Sequence, residues 1–170
     1  MKLDVEGATL HWQSTGSGPV LLVLQGGDGD ADASTRLAEL LTDFTVVTYD
    51  RRGLSRSVIH GARRCELATH TADALAVLSA ATNEPAYLFG TSIGASIGLD
   101  LVSRHPTRVK RLVAHEAPQT ELLDAAAREG VDRARDEIDA LYANKGVLPA
   151  MRKFFAGTGI DFMDREPDVG

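Results

Sequence analysis

"YLFGTSIGAS", residues 87–96, sets a serine between two glycines directly after an apolar run. Two readings compete for it. Ser92 is either a nucleophile on a sharp strand-to-helix turn or the cap of a helix, a common place for serine. The flanking residues favour the turn. AYLF at 86–89 is short and apolar, as a buried strand would be. SIGASIGLDLVSR at 92–104 places Ile93, Ile97, Leu101 and Val102 inward on a helix, which Pro106 stops. A corner between two such elements strains the residue at its apex, and Gly90 and Gly94 remove side chains that would collide there. Ser92 would then raise its hydroxyl above the carboxyl ends of the strands, where open α/β sheets place ligands. The Ile93 N–H, at the start of the helix, would point at the same spot and could hold an oxyanion.

Outward from this turn, strands alternate with helices. VLLVL at 20–24, FTVVTY at 44–49 and RLVAH at 111–115 have the length and β-branched content of buried strands. ADASTRLAELLTD at 31–43 sets Leu37, Leu40 and Leu41 on one helical face, and ELATHTADALAVLSAAT at 66–82 does the same with Leu67, Thr71, Leu75 and Leu78. This alternation implies an α/β fold, a mostly parallel sheet with helices on both faces. The first residues read as a hairpin entering that sheet. After residue 117 the pattern is helical: Val131, Ala134, Ile138 and Leu141 form a stripe through 119–144, and Pro149 opens a further helix through Phe155. Residues 1–118 are therefore expected to form the N-terminal part of a core, and 119–170 a helical cap-like segment and tail.

The 170 residues fit one domain with a substantial core. A net charge of −6 argues against a nucleic-acid partner. The lone Cys65 excludes an internal disulfide and a cysteine-based metal site, and it reads as an inert small hydrophobe. No apolar run reaches membrane-spanning length and the N-terminus lacks a signal-peptide core, so the expectation is a cytoplasmic protein that uses no membrane.

Three blocks in order, LVLQGGDGD (22–30), VVTYDRRGLSRS (46–57) and LFGTSIGASIGLDLVSRHPTRVKRLVAHEAP (88–118), resemble the α/β-hydrolase superfamily, particularly its small esterase-like and peroxidase-like members. The resemblance covers roughly residues 9–118 and implies the following. The first block supplies a second oxyanion donor, the main-chain N–H of Gly27, with Gly26 giving room. Its usual His-Gly start is Gln25-Gly26 here, which alters how the loop is held. In the second block Ser55 replaces the second glycine of a D-x-R-G-x-G-x-S turn, and Asp50 and Arg52 brace the loop. Relatives that open halides or epoxides carry Asp at the nucleophile position. Ser92 points instead to acyl transfer on a small ester, lactone or related compound through an acyl-enzyme, with no cofactor and no metal.

A serine needs a histidine to take its proton and a carboxylate to orient that histidine. Glu116, at the end of the family's strand six, is the candidate acid, with Asp161 a weaker one. None of His11, His60, His70, His105 and His115 follows an eighth strand. His60 is placed at the rim of the site, while His70 and His105 are expected to be exposed or capping. Strand alternation points His115 away from the side that Glu116 faces. The family's strands seven and eight are missing, so the expectation is a fragment whose strand-six edge is exposed and suited to a homodimer. Two alternatives stand beside the serine hydrolase: a non-catalytic hydrolase-like binding or assembly module, and cofactor-free haloperoxidase-type perhydrolysis. The cap-like helices, with Met151, Phe154 and Phe155, are expected to cover the pocket.

Two other motifs fail. Asp28, Asp30, Asp32 and Glu39 mimic a calcium loop, but Ala33 stands where that loop needs glycine, and a strand rather than a helix precedes it. Capping of a helix N-terminus explains these acids more simply. Gly27-Asp28-Gly29 lacks the third glycine of a dinucleotide loop, and its carboxylates would repel a pyrophosphate.

Overall fold

The structure is a computed structural model that describes residues 1–61 and 66–158. Cys65 and Asp161 lie outside the described residues. The chain divides into two compact units, 1–118 and 119–170.

The first unit is built on a sheet in the order β1(Lys2–Val5), β2(Ala8–Gly16), β4(Thr45–Tyr49), β3(Val20–Leu24), β6(Ala86–Thr91), β7(Val109–His115). The two-residue β5(Val58–Ile59) pairs with β2, and sequence periodicity is too short-ranged to reveal it. β1 and β2 form the expected hairpin and β2 runs antiparallel to β4, while β4, β3, β6 and β7 are parallel. The chain leaves β3 toward β4 on one side and returns to β6 on the other. The order therefore reverses at β3, and the crevice between the carboxyl ends of β3 and β6 is the topological switch point of the sheet.

Alternation along β3 divides the core. Leu22 and Leu24 pack with Leu10, Val47, Leu88, Ile97, Leu101, Val77 and Leu78 under α2(Leu67–Ala81) and α3(Ile93–Arg104). Leu21 and Val23 join Val46 on the other face, against Leu37, Leu41, Phe44, Tyr87 and Phe89. Two helical faces depart from their expected settings. α1 is only Thr35–Leu40, preceded by a 3-10 turn at Ala31–Ser34, and a helix that short leaves Leu40 72% exposed. α2 is rotated so that Thr71, Ala74, Val77 and Leu78 face inward with His70 and Asp73, leaving Leu67 exposed. The rotation buries the Asp73 carboxylate against Arg52, an ion pair of 2.6 Å whose side chains are 1% and 4% exposed. Pairing with Arg52 decides the face here, over the leucine spacing.

In the second unit α4(Ala125–Lys145) begins on Asp124, whose carboxylate accepts the Ala127 N–H at 2.8 Å. Gly146, at φ 83°, turns the chain into α5(Val147–Thr158). Lys153 pairs with Glu137 across this helical hairpin at 2.6 Å. The expected α4 stripe is not a buried face: Ile138 and Leu141 are half-buried, while Val131 and Ala134 are exposed. No helix among the described residues is long and apolar enough to cross a membrane.

Candidate functional site

Ser92 stands between β6 and α3 at φ 53°, ψ −126°, a conformation costly for any residue with a Cβ. Close packing forces it. A Cβ on Gly90 would lie 2.5 Å from the Gly94 carbonyl oxygen and 2.7 Å from Ala95 Cα. A Cβ on Gly94 would overlap the Leu24 carbonyl at the end of β3, and one on Gly98 would meet Leu112 at 2.8 Å. The helix therefore lies directly on the carboxyl ends of β3 and β6. Ser92 is left exposed, its N–H donating to the His115 carbonyl at 2.9 Å. Its own carbonyl accepts the N–H groups of Ala95 and Ser96, so α3 begins on it, although its hydroxyl makes no cap hydrogen bond. Ile93 is the first residue of α3, where main-chain N–H groups have no partner within the helix.

The loop after β3 meets this turn. A Cβ on Gly26 would sit 3.5 Å from Ser92 Cβ, and the space around Gly27 is open. Gln25, in place of the usual histidine, is buried and donates to Ser34 Oγ at 2.9 Å. Asp50, fully buried, is the brace of the neighbouring turn. Its carboxylate accepts the Ala31 N–H at 2.8 Å, the Arg56 N–H at 2.9 Å and Arg56 Nε at 2.7 Å. Burial pushes its pKa up, but these hydrogen bonds overrule burial and hold it down at about 2. Arg56 also reaches Asp32 at 3.1 Å and Asp30 at 3.5 Å. Asp30 caps the following 3-10 turn and accepts from Ser55 Oγ at 2.6 Å, and Asp28 accepts the Gly29 N–H at 2.8 Å. Ser55 takes φ 47°, the left-handed setting that the family's glycine would adopt without strain.

The acid side is looser. Glu116 follows β7 directly, at φ 52°, with its side chain 78% exposed. This left-handed step breaks the strand alternation, so His115 and Glu116 do not point apart as expected. His115 Nδ1 lies 3.9 Å from the Glu116 carboxylate and 3.4 Å from Thr91 Oγ1. Among the described residues no histidine ring nitrogen hydrogen-bonds Ser92. His60 is not at the rim; its Nε2 meets Thr9 Oγ1 at 2.9 Å, and it lines a separate cavity of about 630 Å³ with Val5, Gly7, Arg52 and Asp73. His70 is buried, contrary to expectation, and burial, with Arg51 nearby, pushes its pKa down. His105 closes the C-terminus of α3, its N–H donating to the Leu101 carbonyl. His11 lies in β2, its main-chain N–H on Ser57 Oγ.

Comparison with known proteins decides the family. The model of the alpha/beta hydrolase fold matches residues 19–158. The chain belongs to the alpha/beta hydrolase fold family. A Bacillus subtilis relative named "Uncharacterized hydrolase YraK" is 49% identical over 126 residues, covering 71% of this chain and 45% of that protein. An alpha/beta hydrolase from Sphaerobacter thermophilus superposes with a TM-score of 0.75 over 96% of this chain and 62% of its own, at 24% identity. An epoxide hydrolase mutant from Bacillus megaterium superposes at 0.71 over 94% and 60%, at 22% identity. The chain thus spans less than half the length of the curated relatives it matches and under two thirds of these solved neighbours. The likeness to the two solved structures is one of fold alone.

Proposed function

We propose that this chain carries the nucleophile and oxyanion hole of a serine hydrolase that cleaves a small ester, lactone or related acyl compound through an acyl-enzyme on Ser92. The observation that carries the reading is the strained, exposed Ser92 between β6 and α3, with Gly26 facing it across the β3–β6 crevice. Ser92 attacks the acyl carbon, and the main-chain N–H groups of Ile93 and Gly27 hold the developing oxyanion. Glu116 orients a histidine supplied from outside the described residues, which takes the Ser92 proton and returns it to the leaving group. Serine, rather than aspartate, at the nucleophile position favours acyl transfer over the epoxide opening of the Bacillus megaterium neighbour.

A fluorophosphonate probe tests this directly. Labelling that maps to Ser92 and vanishes in Ser92→Ala is expected. A folded protein that includes the histidine and is still left unlabelled would overturn the catalytic reading. That outcome would favour a second one, a hydrolase-like binding module, which draws support from the lack of a histidine on Ser92 among the described residues.

A further inference from the structure

The loop after β3 is held by Arg51. Arg51 Nη1 donates to the Gly26 carbonyl at 2.8 Å and to the Gln25 carbonyl at 3.2 Å, and Nη2 donates to the Gly27 carbonyl at 3.2 Å. Its main-chain N–H donates to the Gly29 carbonyl at 2.8 Å. One residue thus grips both ends of the loop. Gly29 makes room for it: φ is 55°, and a Cβ there would lie 3.2 Å from Arg51 Cβ and Cζ.

A trans peptide sets its C=O and the following N–H antiparallel. Three consecutive carbonyls turned toward one guanidinium therefore turn the N–H groups of Gly26, Gly27 and Asp28 the opposite way. Three carbonyl dipoles converging on one point repel each other, and the fixed positive charge cancels that repulsion. The same charge polarises each peptide and strengthens its N–H as a donor. A planar fork can bridge several carbonyls at once, which a lysine ammonium on a flexible stem cannot do in the same geometry.

We propose that Arg51 is the positioning residue of the oxyanion hole: its guanidinium fixes the Gln25–Gly27 carbonyls so that the Gly27 N–H is presented to an oxyanion formed at Ser92. This rests on the serine-hydrolase reading for its catalytic consequence, but the orientation of the loop is independent of it.

The experiment compares the full chain with Arg51→Lys and Arg51→Met by two readouts. The first is fluorophosphonate labelling of Ser92, separated into probe affinity (KI) and the rate of phosphonylation (kinact). Misdirecting one donor is expected to lower kinact at least about tenfold in both variants, with KI within about twofold. The second is the ¹H–¹⁵N heteronuclear NOE of the Gly26, Gly27 and Asp28 amides, expected to fall in both variants while β3 and β6 amides hold theirs. Were the parent chain unlabelled, kinact would not be read, and the amide NOE alone would judge whether Arg51 orders the loop. Unchanged loop NOE values with unchanged kinact would overturn the proposal. So would a loss of kinact that merely tracks loss of folded protein, judged by the β3 and β6 amides. If Arg51→Met does not fold, Arg51→Lys, which keeps the charge and loses the fork, decides.

Discussion

The two sides of the Ser92 crevice are built to different standards. On the β3–β6–α3 side, backbone touches backbone: Gly94 lies on Leu24, Gly90 on Ala95, and Gly26 faces Ser92. The adjoining loops are pinned by the buried pair Arg52–Asp73 and by Asp50. On the β7 side, Val113 is 59% exposed and the Glu116 carboxylate 78% exposed. Under the proposed function the packed side carries the nucleophile and its oxyanion donors, which must be fixed to fractions of an ångström by their surroundings. The contrast is therefore one between over-determined and under-determined geometry within one sheet edge.

The strongest way to break the contrast is to attack the packed side at its buried charges. Asp73→Ala strips the carboxylate from a buried guanidinium, and urea unfolding should show a loss of about 3–5 kcal/mol. Gly94→Ala drives a methyl into the Leu24 carbonyl and should cost about 3 kcal/mol, with fluorophosphonate labelling falling even in the fraction that remains folded. Asp50 gives a pH signature. Its folded pKa of about 2 lies below its ordinary 3.8, so its contribution is present above pH 4 and is lost as pH falls toward 2. Unfolding measured at pH 6, 4 and 3 should lose about 1 kcal/mol more across that range in the parent than in Asp50→Asn.

Smaller effects sharpen the same comparison. Ser92→Gly relieves the left-handed backbone and should stabilise the fold by about 1 kcal/mol while abolishing labelling; Ser92→Ala should abolish labelling without that gain. The exposed side should be nearly silent. Glu116→Gln is expected to change stability by less than about 0.5 kcal/mol, and a larger loss would show that the exposed carboxylate itself helps to hold the end of β7.

What the sequence made legible follows the same division. The strands, the order of the blocks and the strain at Ser92 were readable because each depends on neighbours a few residues away: an apolar run, two glycines, a helical stripe. Arg51, Arg56 and His70 were not. In the sequence Arg51 is one of two adjacent arginines, and nothing in the spacing says that it folds back on the loop after β3 while Arg52 turns to α2. Arg56 is a lone arginine until the chain brings Asp30, Asp32 and Asp50 to it. His70 falls on a face whose rotation is set by Asp73 and not by the leucines. The acid and base remained partial for a different reason: Glu116 stands at the expected strand end, but proximity to Ser92 is not an effect of local sequence.

The reversal of strand order at β3 has a kinetic consequence. The loop carrying Gly26 and the turn carrying Ser92 are neighbours in space, yet β4 and α2 lie between them in the chain. Parallel β3–β6 pairing can form only after that long intervening segment has crossed the sheet, and such non-local closure comes late and slowly in folding. The crevice is therefore absent from any partly folded chain in which β6 has not yet docked. Pulsed labelling of Ser92 during refolding would act as a clock, marking when the β3–β6 pairing closes.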